Sequence, residues 1–425
     1  MNTEYLIKVI DFWNQSVNRD DFYPRELISK IDTRSKEVVD IVGPRRSGKS
    51  TLLKLIIRNR LESEDFLYIN FEDPFFIQNR EAQVIEALID TYTEYFEKTL
   101  AWVFFDEIQN IENWEKSIRK LRDGTGYKIF LSGSSSKLFS RELSSLLTGR
   151  HLSYELLPLN FREYLVFQDF EISDKKTFVL HKTAIEKEFK KYLKTGGFPE
   201  IAITKNEELL KQYYHDILDR DIIRRHEIRQ KDILEKMASF LMSNSAKLYS
   251  IASLKKTWNI SYDLASTYLE YFKEAFLFYE LPQFSWSLKS QSKTLKKIYA
   301  LDTGLANMVS FRFSDDLGRM LENCVFLHLK QMHEEVYYFK TRNHLEVDFL
   351  VKSGQRISEL IQVCADMADE KTKAREIKAL SEAMEELHLQ ESTILTATEH
   401  DEIKSGGKTI RVMPVYEWVF RASES

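Results

Sequence analysis

Lys49, Ser50, Asp106 and Glu107 are side chains of the types that handle phosphate chemistry, and their spacing is informative. Lys49 and Ser50 close the run Gly43-Pro44-Arg45-Arg46-Ser47-Gly48-Lys49-Ser50, which reads glycine, four residues, then glycine-lysine-serine. Glycines let backbone N–H groups turn inward around a phosphate, and a helix starting at the loop adds its own donors and dipole. In such a loop Lys49 is expected to reach the β- and γ-phosphates, and the Ser50 hydroxyl to hold Mg²⁺. Gly43, Pro44, Arg45, Arg46, Ser47, Gly48 and Thr51 complete the expected cradle. Asp106 and Glu107 end an apolar run that starts at Leu100. At the tip of a buried strand, Asp106 is expected to bind Mg²⁺ directly or through water. Glu107 is expected to be the base that orients and polarises an attacking water.

These side chains need a parallel sheet with helices between its strands. Val38 to Val42 reads as a short buried strand, and Thr51 to Asn59 carries apolar residues at helical spacing. A second strand is expected over 66–71, a helix over 82–98, a strand over 100–107 and a helix over 108–122. Residues 128–133 form another expected strand. Its polar tip makes Ser134, with Ser132 close behind, a candidate to touch the γ-phosphate or the water. A serine-rich turn is the competing reading. Residues 1–36 read as a helical lead-in, with Pro24 near the first turn of a helix.

This order of elements resembles the AAA-type P-loop ATPases. Further segments sharpen the resemblance: Leu147-Thr148-Gly149-Arg150, the stretch 156–165 and the stretch 192–200. They are similar to a large prokaryotic family that joins an AAA-type ATPase domain to a carboxy-terminal domain of the PD-(D/E)XK nuclease type. The resemblance implies ATP with Mg²⁺ as ligands. It makes Arg150 a candidate positive charge for the γ-phosphate, in cis or from a neighbouring subunit, with Arg45 and Arg46 as alternatives. It also leaves a homo-oligomer open.

Residues 166–230 read as an all-helical lid, with a charged helix over 184–194 stopped by Gly196-Gly197 and a long amphipathic helix over 207–228. Arg220, Arg224 and Arg225 on that helix fit intra-helix ion pairs or a finger reaching another subunit. Residues 231–301 read as a winged helix. Its third helix has no arginine and is a poor reader of bases. Its wing carries Lys289, Lys293, Lys296 and Lys297 and no acid between Leu281 and Ala300. Such a wing could rest on duplex DNA phosphates, or be a solvated hairpin.

Residues 302–425 carry the nuclease-like part of the resemblance. Asp348 on an alternating strand matches the motif aspartate, and Glu322 the acid on the preceding helix. Period-two alternation puts Gln362 and Cys364 on one face of the next strand, where the family pattern has glutamate and lysine. The expected result is a degenerate site without nuclease activity.

The composition bounds the rest. A chain of 425 residues with 43% hydrophobic residues allows several domains with real cores. A net charge of −5 excludes a generic polyanion binder, so any nucleic-acid contact is local. Two cysteines support no disulfide framework. Neither a signal peptide nor an 18-residue apolar span is apparent, which points to a cytoplasmic protein without membrane contact. The expected fold is α/β: a P-loop core (1–165), a helical lid (166–230), a winged helix (231–301) and a smaller nuclease-like α/β domain (302–425). The expected function is ATP hydrolysis coupled to the attached domains near DNA. An ATP-dependent scaffold for a protein partner, or a DNA-binding switch with little turnover, are the alternatives.

Overall fold

The computed structural model describes residues 2–19, 22–61, 65–96, 99–136, 150–172, 174–291, 293–310 and 317–421. The chain folds into two compact units, residues 1–158 with 274–276, and residues 159–273 with 277–425.

The first unit is built on a five-stranded sheet. Its strands are β1 (Val38–Val42), β2 (Phe66–Asn70), β3 (Trp102–Asp106), β4 (Lys128–Gly133) and β5 (His151–Glu155), in the order β2-β3-β4-β1-β5. All four pairings are parallel. Such a sheet is covered on both faces, so its strands read as apolar runs rather than alternating ones. Val39, Ile41, Phe104 and Phe130 accordingly pack with Leu52, Leu53 and Ile56 of the helix Lys49–Arg60. β1 lies between β4 and β5, so the chain leaves its carboxyl end at the point where strand order reverses, the usual place for a ligand in an open α/β sheet.

Three local expectations are corrected here. The helix expected after Pro24 is a 3₁₀ turn, Glu26–Ser29. The helix expected over 108–122 is a 3₁₀ turn at Ile108–Asn110 followed by a helix at Trp114–Gly124, because Asn113 takes a left-handed conformation between them. β5 has no counterpart in the sequence reading. Its five residues are half-buried and carry polar His151, Ser153 and Glu155, so the apolar signal is weak.

The second unit begins with helices. Lys175–Thr195 contains the expected charged helix, and Gly196 ends it in a left-handed conformation. The expected long helix over 207–228 is divided. Glu208–Asp216 is α-helical, and Ile217–Arg224 continues as a wider π-helix. There Arg220 pairs with Asp216, Arg224 with Asp219 and Arg225 with Asp221, at 3.6, 2.7 and 3.5 Å.

A helix at Lys231–Ser243 is followed by β6 (Lys247–Tyr249), helices Ile251–Trp258 and Tyr262–Glu274, then β7 (Phe278–Leu281) and β8 (Lys296–Ala300). The sheet order is β6-β8-β7, all antiparallel. Helix Leu317–Met332 leads into a six-stranded sheet. Its strands are β9 (Glu335–Lys340), β10 (Glu346–Ser353), β11 (Arg356–Val363), β12 (Glu391–Thr396), β13 (Asp401–Ser405) and β14 (Lys408–Pro414), in the order β13-β14-β12-β11-β10-β9. Helix Glu370–Glu386 lays Ala379, Leu380, Ala383 and Met384 on Val347, Leu350 and Leu360 of this sheet.

A buried carboxylate closes the helical part of this unit. Asp302 accepts from the backbone N–H of Gly197 at 2.7 Å and of Leu305 at 3.1 Å. The chains approach so closely that a Cβ on Gly196 would lie 1.9 Å from Asp302 Oδ1, and one on Gly304 2.3 Å from the Thr195 carbonyl.

Candidate functional site

The loop between β1 and the helix Lys49–Arg60 is shaped before any ligand arrives. Gly43 must be glycine, since a Cβ there would sit 2.2 Å from the Leu156 carbonyl oxygen. Arg46 and Gly48 take left-handed φ of 68° and 96°, and Gly48 caps the helix. Pro44 and Ser47 are buried, Arg46 is exposed, and Ser50 and Thr51 fall in the first helical turn. Lys49 is 4% exposed and folds back over the loop, donating to the carbonyls of Gly43 and Pro44, both at 3.1 Å. Those bonds hold the ammonium where a phosphate oxygen can replace the carbonyls.

The acidic pair converges on the loop. Asp106 is fully buried at the end of β3. It accepts from Tyr68 and Asn70 on β2, both at 3.0 Å, and from Ser132 on β4. Burial, then the neighbouring Glu107 charge, push its pKa up, against hydrogen bonds from Ser132 and Ser50. A divalent cation at this point would remove that penalty. Ser50, in the first turn of the helix, and Asp106, at the end of β3, both offer oxygen and together fit a hard Mg²⁺ that prefers oxygen ligands.

Glu107 follows the strand in a left-handed conformation, φ 54°. That turn throws its carboxylate toward the loop, 3.5 Å from Lys49 Nζ. Burial raises its pKa, but Lys49 and then Arg45 outweigh this and hold it low, in the ionised form a base needs. Arg45 itself pairs with Glu72 at 2.7 Å.

Of the serines, Ser132 ties the acidic pair together, because it donates to Asp106 and accepts from the Glu107 N–H at 3.1 Å. Ser134 is buried just beyond, 3.4 Å from the Gln109 amide.

Arg150 does not join this group. It precedes β5 at the amino end of the sheet, where Val38 pairs with His151, whereas the loop leaves the other end of β1. The length of β1 separates them, about 13 Å at about 3.3 Å per residue. Arg150 instead pairs with Asp123 at 3.1 Å. Residues 147–149, quoted with it, lie outside the described residues. Of the arginines expected to face the γ-phosphate, Arg45 is the one whose charge reaches Glu107, and Arg46 in the same loop is exposed.

Arg25 was not legible as a site residue. It is buried beneath the loop and donates to the carbonyl oxygens of Ser47 and Leu157, both at 2.8 Å. Nothing in a lone arginine after a proline signals this, since its partners lie 22 and 132 residues away. A second buried polar group joins β1 to β5, where Asp40 accepts from Ser153 and lies 2.8 Å from His151 Nδ1.

The second candidate group holds the largest correction. Lys297 does not line the outer surface of the β7–β8 hairpin. It is 3% exposed and places its ammonium 2.8 Å from Asp348, 2.9 Å from Glu322 and 2.9 Å from Glu346. Burial alone would depress this lysine, but Asp348 and its neighbours raise its pKa well above the ordinary value. Lys296 is also engaged, 2.7 Å from Glu280. Lys289 and Lys293 remain exposed. Glu322 is pushed up to about 7 by burial and by Asp348. Gln362 accepts from the Asp348 N–H at 3.2 Å, and buried Cys364 is pushed up to about 11. Lys352 pairs with Glu335 at 2.7 Å and stays outside the group. The acids here do not fit a metal as they stand, because an ammonium already takes one oxygen from each of three carboxylates. Among the described residues, no group of three or more metal-ligating side chains is arranged to hold an ion.

A parallel sheet in this order, a glycine-lysine-serine loop and a buried acidic pair define a P-loop domain of the AAA type, and residues 35–165 match the family model described as AAA domain. Residues 186–316 and 317–418 match two models, each described as a domain of unknown function. The chain belongs to the same family as the uncharacterized protein MJ1544 of Methanocaldococcus jannaschii, with 38% identity over 402 residues, 89% of this chain and 87% of that one. It is also similar to an uncharacterized protein of Haemophilus influenzae, 29% identical over 347 residues, 79% of this chain and 84% of the other. Among solved structures, Cdc6p from Pyrobaculum aerophilum matches with TM-score 0.26 and 10% identity, over 72% of this chain and 91% of that one. No helix among the described residues is long and apolar enough to cross a membrane.

Proposed function

We propose that the chain binds and hydrolyses ATP at the Lys49, Asp106, Glu107 group and uses the nucleotide state to act on its other domains. The observation that carries this reading is the 3.5 Å approach of Glu107 to Lys49. It brings the expected base to the expected phosphate cation. The loop N–H groups and Lys49 bind the β- and γ-phosphates, and Arg45 adds positive charge. Mg²⁺, held by Ser50 and Asp106, would offset the charge between those phosphates. Glu107 orients a water whose oxygen bonds to the γ-phosphorus. The bond to the β-γ bridging oxygen breaks with its electron pair staying on ADP, and the proton passes to Glu107 and on to solvent.

The domain boundaries read from the sequence support a lid over 166–230, a winged helix over 231–301 and a nuclease-like domain over 302–425. The helix, strand, two helices and two strands with sheet order β6-β8-β7 support the winged helix. The order helix, three antiparallel strands, helix, parallel strand supports the nuclease-like core. A role for Arg150 requires a neighbouring subunit, which light scattering without and with a non-hydrolysable ATP analogue tests; a monomer in both states removes it.

Phosphate release tests the main reading. Glu107→Gln should keep nucleotide binding and lose turnover by about two decades or more, while Lys49→Ala weakens binding itself. Wild-type turnover in Glu107→Gln would overturn the role given to Glu107. Tight ATP binding without turnover in the wild type would favour the scaffold reading.

A further inference from the structure

We propose that Gln109 is a further catalytic residue of this site, resting on the ATPase reading: it orients the attacking water together with Glu107. Three observations lead to it.

The first is placement. The left-handed turn at Glu107 opens a 3₁₀ turn over Ile108–Asn110, closed by the Asn110 N–H on the Glu107 carbonyl at 3.1 Å. Ile108 is fully buried and anchors the turn. Gln109 is thereby carried back beside the carboxylate two residues before it.

The second is the use of its donors. The Gln109 amide donates to one oxygen of Glu107 and lies 3.4 Å from the Ser134 hydroxyl. A carboxylate only accepts, so the amide and not the carbonyl must face Glu107. The other Glu107 oxygen faces Lys49.

The third is its acceptor. The carboxamide oxygen of Gln109 is buried and accepts from no group among the described residues. Leaving a buried carbonyl unpaired costs its full desolvation penalty with no bond to offset it. An acceptor kept in that state next to a base suits a donor that comes with the reaction. Water has two hydrogens to donate. One bond to Glu107 and one to Gln109 fix both of them, and they turn the oxygen lone pair toward the γ-phosphorus. When the phosphates draw Lys49 away, the Glu107 oxygen it faces becomes available for the first of these bonds. Ser134 then acts through Gln109, by holding its amide.

Gln109→Met keeps the length of the side chain and removes donor and acceptor. The expected result is a fall in kcat of about tenfold to a hundredfold, with KM and the affinity for a non-hydrolysable analogue unchanged. Gln109→Asn keeps the amide but draws it back by a methylene, and should lose kcat while melting at the wild-type temperature. Added to Glu107→Gln, Gln109→Met should lower the rate no further, because both residues act on one water. A merely structural glutamine would give an additive loss. Wild-type kcat in Gln109→Met, a change confined to KM, or additivity with Glu107→Gln would each overturn the proposal while leaving the ATPase reading intact. A wild type that releases no more phosphate than Lys49→Ala would instead overturn the ATPase reading, and this one with it.

Discussion

Lys297 Nζ lies 2.8 Å from Asp348 Oδ1, and this contact joins β8 of the three-stranded sheet to β10 of the six-stranded sheet. The ammonium donates to Asp348 and Glu322 and pairs with Glu346 at 2.9 Å. Removing one partner of a buried ion group leaves uncompensated charge and typically costs about 3–5 kcal/mol. We predict that Lys297→Met lowers unfolding stability by that order, measured by denaturant titration. Adding Asp348→Asn should recover part of the loss, since the two sites share one interaction. A change below about 1 kcal/mol, within the range of an ordinary surface substitution, would show that the group is solvated and the ion pairs idle.

The same geometry bears on nuclease chemistry. A lysine already paired with three carboxylates is drawn away from a scissile phosphate, and Gln362 brings no charge for a hard cation. We predict no plasmid cleavage with Mg²⁺ or Mn²⁺. Cleavage by the wild type that Asp348→Ala abolishes would overturn this.

For DNA, the exposed lysines of the β7–β8 connection are Lys289 and Lys293. We predict weak, sequence-tolerant duplex binding that weakens with salt. Replacing both lysines by glutamate should flatten the dependence of log affinity on log salt by about two, at roughly 0.9 per phosphate contact. An unchanged slope in a titration at several salt concentrations removes this connection as a phosphate contact.

Asp302 gives a pH signature. Burial pushes its pKa up to about 6, against backbone hydrogen bonds that pull the other way. The unfolded chain has the ordinary value near about 3.9. Between these pH values the folded state holds a proton that the unfolded state has released, so stability falls as pH rises toward 6. Asp302→Asn does not titrate. The stability difference between wild type and variant should therefore move in favour of the wild type on acidification from pH 7 to pH 5, by at most about 1.4 kcal/mol per pH unit. A difference flat across that range would show a carboxylate that stays ionised.

How much was legible in the sequence follows from contact range. The loop from Gly43 to Ser50 is contiguous, and its flanks announce a strand and a helix, so its meaning survives without coordinates. Asp106 and Glu107 were readable because an apolar strand ended on them. Gln109 reads as one residue of a helix, because the left-handed turn at Glu107 that redirects it leaves no mark on the sequence. The lysine run between Leu281 and Ala300 misleads for a similar reason. No acid lies between Leu281 and Ala300, yet Glu280 borders that stretch, and the partners of Lys297 come from residues 322, 346 and 348. Charge counted along a chain does not report charge gathered across a fold.

Arg25 carries a last consequence. Its guanidinium roots the Ser47 carbonyl of the glycine-lysine-serine loop to the Leu157 carbonyl beyond β5. The conformational entropy of ordering the loop is therefore met when the domain folds rather than when a ligand binds. Affinity at this site is in part a folding property. Loosening the segment around residue 25 would register in a binding assay as weakened nucleotide affinity, by way of the loop it supports.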